Sequence, residues 1–120
     1  MKFPRVMLLK DIRLKEKPLG RYLPEKNQIE LSITALHERE DDDRRFTVYH
    51  ELGHWWRCQM VPDMQNDKDE QEFADAFAYY FVSPGELDTR ARSYFKSSLV
   101  DEAGIQGFAE EIYRRMNELL

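Results

Sequence analysis

The chain has little of what disulfide-stabilised, membrane-bound or secreted proteins need. It contains one cysteine, Cys58, so no internal disulfide can form, and this favours a reducing compartment. No apolar run approaches the ~20 residues that would cross a bilayer, and the first residues do not read as an apolar leader segment. We therefore expect a cytoplasmic protein that has no membrane partner.

Positive charge is also scarce. The 18 lysines and arginines are outnumbered by 23 aspartates and glutamates, and they form no basic cluster, which argues against nucleic acid as the main partner. The glycines and lysines form no phosphate-binding loop. A chain of 120 residues is long enough for a modest core, so we expect residues 1–120 to form a single domain.

The most informative feature that is present is the H-E-x-x-H pattern of His50, Glu51 and His54. The apolar spacing around it predicts a helix from Arg45 to about Gln59. On a helix, residues i and i+4 share a face, so both imidazoles can bind one metal ion. Glu51 then lies beside the ion without binding it, in the position of a general base for peptide hydrolysis. The pattern predicts a zinc site.

The rest of the chain predicts an α+β domain in which strands come first and helices follow. The three predicted strands are Phe3–Leu9, Gly20–Leu23 and Gln28–Ile33. A charge run over residues 38–45 is interpreted as a solvated loop, with Asp42 or Asp43 capping the next helix. We expect the short sheet to pack beside the helix that carries the histidines.

Three further helices are predicted after that one. The first covers Asp69–Val82, with Ala74 and Ala78 allowing close packing and with Phe73, Phe77 and Phe81 on one face. The second begins at a Ser83-Pro84 cap and runs to about Ser97. The third begins near Gly104, and its expected core face consists of Ile105, Phe108, Ile112, Met116 and Leu119.

Two histidines do not complete a catalytic zinc site, which typically has three protein ligands. The acidic segment that begins at Glu70, 16 residues after His54, is the obvious source of the third. Cys58 shares the face of His50, but eight residues of helix rise ~12 Å, too far for both to bind one ion. We interpret Cys58 as structural or incidental, His37 as a surface residue, and Trp55 and Trp56 as core and cleft wall.

These segments resemble a known group of enzymes. The stretch from Arg45 to His54, followed by Ala74-Asp75-Ala-Phe-Ala78 and a Ser-Pro pair ending at Pro84, resembles the gluzincin metallopeptidases of the ImmA/IrrE type. It is also similar to the catalytic domain of anthrax lethal factor. The resemblance covers roughly residues 45–84 and is loose in the N-terminal third. It implies a small zincin-like (gluzincin) domain acting as a zinc-dependent endopeptidase.

The resemblance also implies a third ligand and a partner for one histidine. In these families the third ligand is a glutamate four residues before the position that Asp75 matches, but this chain has Gln71 there. Three interpretations stay open: Glu72 binds the metal after a local adjustment, Gln71 binds it weakly, or the site is degenerate. We favour Glu72; Glu70 flanks the position on the other side. Asp75 is expected to accept an N–H from one zinc-binding histidine.

The functional hypotheses follow from this site. The first is limited cleavage of an intracellular regulatory protein, for instance a repressor of a phage or mobile element, with a protein or peptide as the substrate. The second is a catalytically weak or inactive gluzincin-fold module that binds protein, and the third is a helical domain without metal. A tyrosine often stabilises the oxyanion in such enzymes, and five are candidates: Tyr49, Tyr79, Tyr80, Tyr94 and Tyr113.

Overall fold

A computed structural model describes residues 2–10, 19–63, 66–83, 85, 95 and 101–120. In this part of the chain three strands and four helices form a compact α+β fold, which confirms the predicted class. The strands are β1 (Arg5–Leu9), β2 (Gly20–Leu23) and β3 (Gln28–Ser32). The helices are α1 (Ile33–His37), α2 (Asp41–Met60), α3 (Asp67–Val82) and α4 (Glu102–Leu119). None of the described helices is long and apolar enough to cross a membrane.

The sheet has the order β1-β3-β2, with β3 in the centre. β1 runs parallel to β3, and β2 runs antiparallel to it. A short 3-10 turn, Pro24–Lys26, links β2 to β3 and ends at Asn27, whose φ of 46° lies in the left-handed region that asparagine tolerates. β2 is therefore an edge strand of this sheet, and it packs against α2.

α2 is the central element of the core. Its middle part is buried on all sides, and Leu52, Trp55 and Trp56 are fully enclosed. Trp55 stacks on Phe3 at a ring distance of 5.2 Å, and Trp56 stacks on Phe73 at 5.6 Å. The prediction that both tryptophans belong to the core is confirmed, but neither lines the cavity at the motif, so their expected role as cleft wall is not. Such a helix is held by the elements around it, because it has no wide solvent face in its middle.

α3 packs closely on α2 at Gly53, between the two motif histidines. A Cβ atom at Gly53 would lie 2.9 Å from the Cα of Ala74 and 3.1 Å from the Cβ of Phe77. Ala74 and Ala78 are both fully buried, as their small size predicted. The absence of a side chain at residue 53 therefore lets the first half of α3 come within reach of the histidines.

Several predicted boundaries were wrong. Residues 41–45 of the charge run form the first turn of α2, whose N-cap is Glu40 with no side-chain cap bond, so Asp42 and Asp43 lie inside the helix. Three aspartates at a helix N-terminus are favoured by the helix dipole, which explains the earlier start. Ile33 begins α1 instead of ending β3, because the Ser32 hydroxyl caps α1 at the Ala35 N–H.

The other differences concern the last helices. α3 begins at Asp67, because the Asn66 side chain accepts hydrogen bonds from the N–H groups of residues 68 and 69. In α4 the buried residues are Ile105, Ala109, Ile112 and Met116, whereas Leu119 is 57% exposed and is not part of the core. The helix predicted for residues 83–97 falls mainly on residues outside the described ranges.

Candidate metal centre

The three motif residues lie where α2 passes the edge strand β2 and the first half of α3. They open on a cavity of about 500 Å³ that is lined by residues 19–22, by the middle of α2 and by the facing side of α3. One ligand atom from each of His50, Glu51 and His54 lies within 4.8 Å of the others. The predicted helical spacing thus brings all three side chains to one wall of a cavity.

The two histidines face each other through the nitrogens that usually bind metal. Their Nε2 atoms are 3.2 Å apart. Two nitrogens bonded to a tetrahedral zinc ion at about 2.0–2.1 Å are separated by roughly 3.3 Å, so the spacing fits a shared ion. Two imidazole lone pairs at this distance repel each other unless a proton or a cation lies between them. The donor set therefore fits a divalent metal, without being specific to zinc.

Each histidine has a carboxylate on its other ring nitrogen. The Nδ1 of His50 lies 2.8 Å from Oδ1 of Asp75, and the Nδ1 of His54 lies 3.2 Å from Oε1 of Glu70. Because an ionised carboxylate only accepts hydrogen bonds, both rings donate from Nδ1 and leave Nε2 available. The contact expected between Asp75 and one motif histidine is present.

Glu51 is enclosed beside the histidines. It is 5% exposed, and its Oε2 has no hydrogen-bond partner among the described residues. The backbone of β2 covers it, since a Cβ atom at Gly20 would lie 3.3 Å from Cγ of Glu51. Burial raises the pKa of the Glu51 carboxyl to about 8, because a low-dielectric site disfavours its charged form. A carboxyl with a pKa near neutrality is suited to general acid–base work.

The environment of His54 favours its neutral form. Burial lowers the pKa of His54, and the neighbouring His50 lowers it further. The Glu70 carboxylate acts in the opposite direction. A neutral imidazole is the form that binds metal, so the lowered pKa of His54 favours metal binding by this residue.

Of the two favoured candidates for the third ligand, residue 71 faces the cavity and residue 72 does not. Gln71 lines the cavity, whereas Glu72 is exposed and does not line it. The expectation that Glu72 turns toward the histidines relied on a loose first helical turn. Because α3 already begins at Asp67, residue 72 lies in a regular second turn, about 100° round the helix from residue 71.

Sequence reasoning missed the contribution of β2. Arg21 and Tyr22 line the cavity, together with Phe46 and Thr47 of α2. Strand periodicity alone could not show which side of β2 would face the motif helix. Tyr22 was not among the candidate tyrosines, yet it is the tyrosine that the described cavity wall contains; its hydroxyl donates to Oδ1 of Asn27.

The candidate tyrosines that the structure describes do not line the cavity. Tyr49 donates to Glu110, Tyr80 to Glu102 and Tyr113 to Asp41. Tyr79 packs on the ring of Phe46, and Tyr94 lies outside the described residues. Cys58 accepts a hydrogen bond from the neighbouring Arg57 and does not line the cavity, and His37 is exposed.

A helix-borne His-Glu-His cluster at a cavity of an α+β fold defines a candidate metal-binding protein. Comparison of the chain with models of protein families, with curated proteins and with solved structures finds no match. The arguments that follow therefore use the residues and geometry of this site.

Proposed function

We propose that the protein is a zinc-dependent endopeptidase of the gluzincin type, related to the ImmA/IrrE group that residues 45–84 resemble. One observation carries the proposal: the paired Nε2 atoms of His50 and His54 lie beside a buried carboxyl group, Glu51, whose Oε2 has no partner among the described residues. A buried polar atom without a partner is unfavourable, so its presence beside the histidines suggests a function for it.

Each residue of the site would have its own role in peptide hydrolysis. His50 and His54 would hold the ion, which when bound would acidify a water molecule and polarise a substrate carbonyl. Glu51 would accept a proton at its carboxylate and return it to the leaving amine. Asp75 orients His50 by accepting from its Nδ1. The substrate would be a protein or peptide segment lying in the cavity, and the resemblance suggests limited cleavage of a regulatory protein.

Gln71 supports a second candidate, a protein-binding module with weak or no catalysis. Apart from Glu51, the carboxylates in the described cavity wall are Glu70 and Asp75, and both accept from a histidine. The third ligand would then be the neutral amide of Gln71 or a water molecule. A neutral ligand adds no negative charge beside a dication, so zinc would be held less tightly.

The test begins with metal content. Elemental analysis of the purified protein is expected to find close to one zinc per chain, and His50→Ala is expected to lose it. Glu51→Gln should keep the zinc while peptide hydrolysis falls by roughly 10²- to 10⁴-fold or more. Zinc that binds without any hydrolysis by the parent protein would favour the binding module. No zinc after incubation with the metal would contradict both candidates.

A further inference from the structure

One oxygen atom joins three side chains between α2 and α3. The Oε1 of Glu70 accepts a hydrogen bond from Nη2 of Arg57 at 2.9 Å and lies 3.2 Å from the Nδ1 of His54. His54 and Arg57 are one helical turn apart on α2, so their side chains are neighbours. Glu70, on α3, therefore bridges two residues of the facing helix.

This charge pair lies largely away from water. The side chain of Arg57 is 9% exposed and that of Glu70 is 24% exposed. Removing two charges from water costs free energy that their mutual attraction does not always offset, so burial of such a pair is weak evidence for a stabilising role. A task for the carboxylate explains better why such a pair lies at this place in the fold.

The geometry indicates what that task is. A carboxylate next to Nδ1 keeps the proton on that nitrogen and leaves the lone pair on Nε2, the atom that lies 3.2 Å from its counterpart in His50. The guanidinium of Arg57 fixes where the carboxylate lies, because it binds the same oxygen that His54 contacts. Without this anchor, a glutamate side chain has several rotamers available and only some reach the ring.

We propose that Glu70 is a positioning residue for His54 and that Arg57 holds Glu70 in place for this task. The inference builds on the proposed metal site and extends it, because it removes Glu70 from the possible ligands and gives His54 a partner equivalent to Asp75 on His50. The metal would then meet only neutral donors, namely His50, His54 and either Gln71 or a water molecule.

The first experiment measures which ring nitrogen carries the proton. Nitrogen NMR of the imidazole rings is recorded on metal-free protein at mildly alkaline pH, above the ordinary histidine pKa. We expect His54 to carry a proton on Nδ1 in the parent protein, and Glu70→Ala to move it to Nε2 while His50 is unchanged. Asp75→Ala is the matched control and should affect His50 alone. A proton on Nε2 of His54 in the parent, or on Nδ1 in Glu70→Ala, would overturn the proposal.

The second experiment measures zinc affinity by competition with a chromogenic chelator. Glu70→Ala should weaken binding roughly 10- to 100-fold, as removal of a ligand's hydrogen-bond partner usually does. Glu70→Gln should recover part of the loss, because its amide oxygen still accepts from Nδ1. Unchanged affinity in Glu70→Ala would argue against the positioning role. If the parent binds no zinc, the proposed function fails, whereas the NMR result still decides the role of Glu70.

A third experiment tests whether Arg57 acts through Glu70. Arg57→Lys keeps the charge and most of the side chain, which protects the fold, but it loses the planar guanidinium. We expect it to weaken zinc binding in the parent background and to change nothing further when Glu70→Ala is present, because Arg57 acts through Glu70. Equal weakening in both backgrounds would show that Arg57 acts independently and would refute its assigned part.

Discussion

Two arginine–glutamate clusters in this molecule have similar contacts and very different surroundings. Arg57 and Glu70 lie between α2 and α3, with side chains 9% and 24% exposed. Arg114 of α4 pairs with Glu111 and Glu118, and these three side chains are 59%, 55% and 61% exposed. Water screens the outer cluster, whereas the inner one must satisfy its charges within the protein. We therefore expect the surroundings of a pair, more than its contact distance, to decide how much stability its removal costs.

The same contrast applies to the glycines of these helices. Gly53 lies against Ala74 and Phe77, whereas a Cβ atom at Gly107 of α4 would meet nothing within 4 Å. The α2–α3 interface is thus tight in both its polar and its apolar contacts. The outer face of α4, by contrast, has room for substitutions. The predictions below test this difference, beginning with the largest expected effect.

Breaking the charge pair between Arg57 and Glu70 should lower the stability of the fold more than any other change considered below. Arg57→Met is expected to lower the free energy of unfolding by about 3–5 kcal/mol, because it leaves Glu70 charged and largely buried without its guanidinium. The matched variant Arg114→Met on α4 should leave the urea unfolding midpoint almost unchanged. Equal shifts in the two variants would contradict the comparison.

Glu51 should make the metal-free protein less stable as pH rises. Its folded-state pKa of about 8 lies above the value of 4.5 for an ordinary glutamate, so the folded state favours the protonated form. The resulting penalty is absent below about pH 4.5, grows as pH rises and is complete above about pH 8.

Glu51→Gln, which cannot ionise, should therefore be more stable than the parent by about 2–4 kcal/mol at pH 8 in the presence of a chelator. The two proteins should converge near pH 4.5. Urea unfolding across this range measures the effect, and the opposite trend expected from His54 is common to both proteins. Parallel stability curves would mean that Glu51 is not buried in its uncharged form.

Adding one methyl group should have opposite effects on stability at the α2–α3 interface and on the outer face of α4. Gly53→Ala should destabilise the fold by about 1–3 kcal/mol, because the new Cβ would press on the backbone of Ala74. Gly107→Ala should stabilise it by about 0.5–1 kcal/mol, because alanine favours a helix and nothing obstructs it there. Thermal or urea unfolding compares the two, and a stabilising Gly53→Ala would disprove the close approach of α3.

Position 71 should tune metal affinity with little effect on folding. Gln71→Glu is expected to tighten zinc binding roughly tenfold or more, because a carboxylate is the usual third ligand beside two imidazoles. Glu72→Ala should leave the affinity close to that of the parent, since Glu72 does not line the cavity. The opposite result, a severe loss in Glu72→Ala and no gain in Gln71→Glu, would restore Glu72 as the ligand.

Much of the fold follows from local patterns in the sequence. The span of β2, the α+β order and the cores of α2, α3 and α4 were predicted, because strand alternation and helical apolar spacing are properties of neighbouring residues. The errors lie where side chains cap helices or where charge precedes one. Ser32 caps α1, a short helix that was not predicted, and Asn66 caps α3 before the predicted start at Asp69. Aspartates that were interpreted as a loop form the first turn of α2.

The central part of the candidate site was determined by the sequence itself. His50, Glu51 and His54 belong to one helix, and a helix sets their spacing without help from the rest of the chain. Only the tertiary structure decided that Glu70 and Gln71 line the cavity while Glu72 does not. It also decided that Glu70 and Arg57 meet at His54 and that Tyr22 forms part of the cavity wall. These contacts depend on how α3 and β2 pack against α2, and that packing is set by long-range fits such as Ala74 against Gly53, which no local pattern contains.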